Sequence, residues 1–248
     1  MEMRTSNPAL SDSVFRDARA GYGPAMTVSG TVNRAGILML CVAATAVWTW
    51  NQVFTTGDVA SVSGYTMVGA LGGFIAALVT IFKKEWSPVT APIYALLEGL
   101  FLGSLSAMLE IRYPGIAIQS VALTFGTCFC LLMAYRAGII RATQRFTLGI
   151  VAATGGIALV YLASMLLGFF HIQIPGIFGS GPIGILFSLV VVVIAALNLI
   201  LDFNFIEQGA KSGAPKYMEW YAAFGLMVTL IWLYLEIIRL LTKLRDRR

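Results

Sequence analysis

The sequence predicts an all-α integral membrane protein, a seven-transmembrane helical bundle. Three observations predict it. Of 248 residues only 12% are charged and 58% are hydrophobic, whereas an ordinary soluble domain carries roughly 25% charged residues. The apolar residues come in unbroken runs of about 20, the length that crosses ~30 Å of hydrocarbon at ~1.5 Å per residue. The charged faces that a soluble helical bundle turns to water are missing from those runs. Isolated strands cannot cross hydrocarbon with unpaired backbone groups, so the runs are read as helices.

Residues 1–34 mix charges (Glu2, Arg4, Asp12, Arg16, Asp17, Arg19, Arg34) with Gly, Ser and Pro. They are expected to form a loosely ordered cytoplasmic tail, and with no apolar segment ahead of the first span no separate signal peptide is expected. Apolar runs follow at about 35–54, 62–82, 89–110, 115–135, 146–170, 183–201 and 220–242, which sets a transmembrane domain over 35–243 and a basic tail over 244–248. Loops 55–61, 83–88 and 111–114 are short, so the first four helices are expected to be antiparallel neighbours. Gly69 with Gly73, and Gly99 with Gly103, are spaced so that two helices can approach closely in lipid.

The net charge of +5 would suggest nucleic acid as a partner of a soluble chain. Here the basic residues flank the apolar runs, so the expected partner is the lipid bilayer, and no nucleic acid. Eleven of the 17 Lys and Arg residues lie on the side of the amino terminus: four in the tail, then Lys83, Lys84, Arg136, Arg141, Arg145, Lys211 and Lys216. The opposite loops carry Arg112 alone. The positive-inside rule then puts the amino terminus in the cytoplasm. Arg239, Lys243, Arg245, Arg247 and Arg248 cluster at the carboxyl end. A seventh full span puts that end outside, against the rule, and a re-entrant last segment is the alternative.

Several chemistries are excluded. Cys41, Cys128 and Cys130 lie in apolar runs, and Cys128 and Cys130 point to different sides of a helix, so they are read as buried structural thiols. The single histidine, His171, cannot build a His-rich metal site, and Ser164, seven residues before it, is no convincing nucleophile. The G-x-G-x-x-G match at 179–184 lacks a βαβ unit. All five lysines are placed outside the span cores, which leaves none for a retinal Schiff base. No enzyme, no catalytic residue and no cofactor is expected.

What remains is charge where charge is costly. Glu98 lies about ten residues into the third run, Asp202 at the end of the sixth, and Glu236 well inside the seventh. Asn198 shares a helix face with Asp202, and Arg239 is placed to pair with Glu236. The plain readings are an interfacial ion pair for Glu236, a solvated helix end for Asp202 and a hydrogen-bonded carboxyl between helices for Glu98. The functional reading is a carboxylate cluster in which one acid keeps its proton. Such oxygens suit a transient Ca²⁺ at Asp202 and Glu236. The two meet only if 215–225 protrudes into the cytoplasm and Asp202 sits deeper than the hydropathy suggests, which a sixth helix extended through about 208 would permit.

The segments MRTSNPALSD, MTVSGTVNRAGIL and AALNLILDFNFIEQGAKSGAPKYMEWYAAFGLMVTLIWLYLEIIRLL resemble the Bax inhibitor-1 family (transmembrane Bax inhibitor motif proteins), in particular its bacterial branch. The resemblance covers nearly the whole chain and is most specific over 195–241. It implies a bundle with the last helix near its centre, in the bacterial inner (plasma) membrane. It also implies a pH-sensitive Ca²⁺ leak controlled by two acids on the last two helices, at Asp202 and Glu236. Some relatives have Asp at the second position, and some clasp the pair with an arginine from the second span, which here carries no charge. The expected function is a pH-sensitive calcium (cation) leak channel gated by the carboxylate pair, with Glu98 as a third carboxylate. The alternative is a non-conducting protein that modulates another membrane protein, such as a membrane-anchored protease.

Overall fold

A computed structural model describes residues 24–170 and 177–247. His171, and residues 1–23 of the expected tail, lie outside the described residues. Among the described residues there are seven α-helices: α1 Val28–Thr56, α2 Ser63–Phe82, α3 Ser87–Arg112, α4 Ile116–Arg136, α5 Gln144–Phe169, α6 Pro182–Lys211 and α7 Met218–Asp246. All seven are long and apolar enough to cross a membrane.

The ends follow local chemistry. Thr27, in extended conformation, accepts from the Gly30 amide and starts α1, so the helix begins seven residues before the apolar run and includes Arg34. Gly57, with φ of 67°, closes it in the left-handed region that favours glycine. Pro88 stands in the first turn of α3, where its missing N–H is not needed. The Glu110 carboxylate accepts from the Gly115 and Ala117 amides, so the end of α3 supplies donors' partners at the start of α4. α6 runs on to Lys211 and α7 to Asp246, both beyond their apolar runs.

The chain divides into two compact units: the described residues up to Ala117 with Phe205–Val228, and Ile118–Asn204 with Thr229–Arg248. In the first, α3 packs along both α1 and α2. A Cβ on Gly99 would meet Thr45 and the Val42 carbonyl, and one on Gly103 would meet Thr49 and the Ala46 carbonyl. Residue numbers rise together across this contact, so α1 and α3 run parallel. Against α2 they run in opposition: Gly69 meets Phe101, Gly73 meets Glu98, and Thr80 bonds Thr90 at 2.8 Å. The expectation of sequential antiparallel neighbours thus holds for α2 and α3 and is corrected for α1, which packs mainly on α3. α1 and α2 touch near their connection, as in the Trp48–Tyr65 ring contact, while α3 fills the space along both. The physical reason is the glycine pair, which lets α3 approach α1 to backbone contact.

In the second unit α6 and α7 run antiparallel. Lys243 bonds the Gly184 carbonyl, and Thr229 faces Asp202. α5 is antiparallel to α6, joined by Asn198 to Thr154 at 2.9 Å and by the rings of Phe187 and Tyr161. Most of α7 is buried, whereas α5 exposes Leu159, Leu162, Met165 and Leu166, as a lipid-facing helix does. The cysteines are free, with Cys41 and Cys128 half-buried and Cys130 exposed. This corrects the buried reading for Cys130, whose side of α4 faces outward.

Candidate functional site

Asp202 and Glu236 are each 1% exposed, and the structure surrounds them differently. Glu236 sits in a network on α7 and α5. Arg239, one turn on, places Nη1 at 2.8 and 2.9 Å from its two carboxylate oxygens. The Tyr161 hydroxyl donates to Oε1 at 2.9 Å and itself accepts from Arg239 at 2.7 Å. Trp232 donates to the same oxygen at 3.3 Å. The expected Glu236–Arg239 ion pair is therefore present, and Tyr161 and Trp232 complete it.

Asp202 has no such company. Neither carboxylate oxygen accepts a hydrogen bond among the described residues. The Thr229 hydroxyl faces it from α7, and the Cys128 thiol of α4 lies within reach of its charge. Asn198 does not bond Asp202 as its position suggested. It donates to Thr154 and to the Ile194 carbonyl.

No hydrogen bond joins Asp202 to Glu236. Thr229, opposite Asp202, lies two turns before Glu236 on one face of α7, about 10 Å along the helix. A shared proton between the two carboxyls is thus not what the structure builds. One Ca²⁺ with oxygens at about 2.3–2.6 Å cannot be bridged by both at that spacing. The two carboxyls are successive levels of one face instead. Glu98, in the first unit, is half-buried against Gly73 of α2.

That face has a pattern. Thr229, Trp232, Glu236, Arg239 and Lys243 follow one another at alternating spacings of three and four, which keeps them on one side of a helix. On α6, Gly184, Ser188, Val191, Ala195, Asn198 and Asp202 do the same, and all are buried. Lys243 was expected outside the span cores. It lies within α7, is 5% exposed and donates to the carbonyls of Ile177 and Gly184. Tyr161, Trp232, Thr229 and Lys243 were missed as site residues. The 3-4 spacing of polar groups on α7 is the sequence signal that could have found three of them.

A third buried carboxylate opens α7. Glu219 accepts from the Thr27 amide and hydroxyl at 3.0 and 2.9 Å and from Lys216 at 2.7 Å. Arg34 approaches at 3.9 Å and stacks over Trp220. Met26 donates to the Ala214 carbonyl at 2.7 Å. Together these bonds fasten the entry to α1 onto the α6–α7 connection.

Seven spanning helices and an acid network within them define an integral membrane protein built around charged groups in its last two helices. The sequence settles the family: residues 7–246 match the family described as Bax inhibitor 1 like, and the chain belongs to it. No curated protein and no solved structure matches the chain.

Proposed function

We propose that the protein is a pH-responsive cation leak, with Ca²⁺ as the cation it passes, acting without catalysis. In this reading it lies in the bacterial inner membrane with its amino terminus in the cytoplasm, the side on which eleven basic residues fall. The observation that carries the proposal is the unpartnered Asp202 on a buried polar face of α6 and α7. A carboxyl group that accepts no hydrogen bond can exchange its proton without breaking one. Its charge then changes the local potential strongly, because the surroundings screen it poorly. Glu236 is the fixed element, tied by Arg239 and Tyr161. Arg239 holds Glu236 alone and leaves Asp202 unclasped. Carboxyl oxygens at successive levels suit passage of a hard cation better than storage of one.

The test is Ca²⁺ entry into dye-loaded vesicles carrying the purified protein, at acidic and neutral pH. Entry above protein-free vesicles, changing with pH and losing that change in Asp202→Asn, is the expected result. Entry equal to protein-free vesicles at every pH ends this reading and favours the non-conducting modulator of another membrane protein.

A further inference from the structure

We propose that Lys243 is a tethered cation that fills a carbonyl site at one end of the polar face and thereby closes it. The proposal rests on the leak reading and adds its regulation. Thr229, Glu236 and Lys243 are each seven residues apart on α7, so they mark three levels of one face. Their partners differ in kind: a bare carboxyl at Asp202, an ion pair and phenol at Glu236, and two backbone carbonyls at Lys243. From Gly184 to Asp202 the opposite face of α6 spans eighteen residues, about 27 Å, close to the thickness of the hydrocarbon core.

The Lys243 ammonium lies 3.0 Å from the Ile177 carbonyl and 3.0 Å from the Gly184 carbonyl. A lysine near the end of a span ordinarily extends to water. This one is 5% exposed, and among the described residues no ion pair holds it. Glu236 attracts its charge and Arg239 repels it. Convergent backbone carbonyls are the ligands by which cation paths replace a hydration shell, and here the occupant is the chain's own ammonium. Ser188, one turn past Gly184 on the same face, is 1% exposed, and its hydroxyl has no partner among the described residues. The usual acceptor for that hydroxyl, the carbonyl four residues back, is the Gly184 carbonyl that Lys243 takes. Withdrawal of the ammonium would free two carbonyls and a hydroxyl together for a passing cation.

A lysine that merely clamps α7 to the α6 entry would leave cation flux unchanged once the protein is folded, and this separates the two roles. Full-length protein in phosphatidylcholine–phosphatidylglycerol vesicles is compared as wild type, Lys243→Met, Lys243→Gln, Lys243→Arg and Asp202→Asn, each checked by thermal unfolding in detergent. Removal of the charge in Lys243→Met and Lys243→Gln is expected to raise Ca²⁺ entry severalfold, with Lys243→Arg at the wild-type rate. If Lys243→Met fails to fold, Lys243→Gln decides, since its amide keeps two N–H donors for the carbonyls. Wild-type entry in the folded neutral variants, or an equal rise in Lys243→Arg, overturns the closure while a changed pH response in Asp202→Asn leaves the leak standing. Entry at the protein-free level in every variant overturns both.

Discussion

Glu219 and Asp202 are equally buried, each 1% exposed, yet their surroundings are opposite. Glu219 has two donors from Thr27, a lysine at 2.7 Å and an arginine at 3.9 Å. Asp202 has no hydrogen-bond donor among the described residues. Burial alone therefore does not mark a functional acid. A carboxylate whose donors come from a distant segment, as Thr27 does for Glu219, holds the fold together. A carboxyl left without donors contributes little to holding it and is free to respond to its proton. Glu236 stands between them, bonded on every side but inside a span.

The contrast can be broken by substitution, and the largest effect belongs to the best-bonded acid. Glu219→Ala leaves the Thr27 amide and hydroxyl and the Lys216 ammonium without their acceptor and should destabilise the protein by about 2–3 kcal/mol, read as a fall in the unfolding temperature in detergent. Partial exposure of Lys216 and Arg34 keeps the figure below that of a fully buried pair. An unfolding temperature unchanged from wild type would remove the structural role given to Glu219.

Glu236→Gln should come next, at about 1–2 kcal/mol, because Arg239 is 41% exposed and can turn partly toward water or headgroups. Tyr161→Phe removes a hydroxyl that donates to Glu236 and accepts from Arg239, and should cost about 1 kcal/mol. If Tyr161→Phe proves more damaging than Glu236→Gln, the carboxylate is not the centre of that network.

Asp202→Asn should have the smallest effect on stability, within about 1 kcal/mol of wild type, since no hydrogen bond is lost. It should have the largest effect on the pH dependence of Ca²⁺ entry. Loss of folding in Asp202→Asn, or an unaltered pH response, would place Asp202 with Glu219 among the structural acids.

Gly99 and Gly103 were legible as packing residues, but the partner helix was not. Their spacing says that some helix comes close, and only the positions of Thr45 and Thr49 show that it is α1, running parallel. Arg34 was counted in the tail because a hydropathy run stops at a charge. In the fold the guanidinium stacks on Trp220 and turns to Glu219, so the helix continues through it. An extension of the sixth helix through about 208 is what the sequence offered as permitting contact, and α6 does run on, to Lys211. It was not enough to join Asp202 to Glu236, because the level each residue reaches depends on how far α7 slides past α6.

The sequence by itself determined seven spanning helices, the family, and the three acids that stand in or at the end of apolar runs. Length, hydropathy and charge spacing are local properties, and a bilayer converts them directly into helices. Only the tertiary structure decided which acid is tied and which is bare, and that Lys243 turns inward to two carbonyls. Those outcomes depend on donors brought from residues far along the chain, such as Tyr161 to Glu236 and Thr27 to Glu219, and no local pattern states where a distant hydroxyl will arrive.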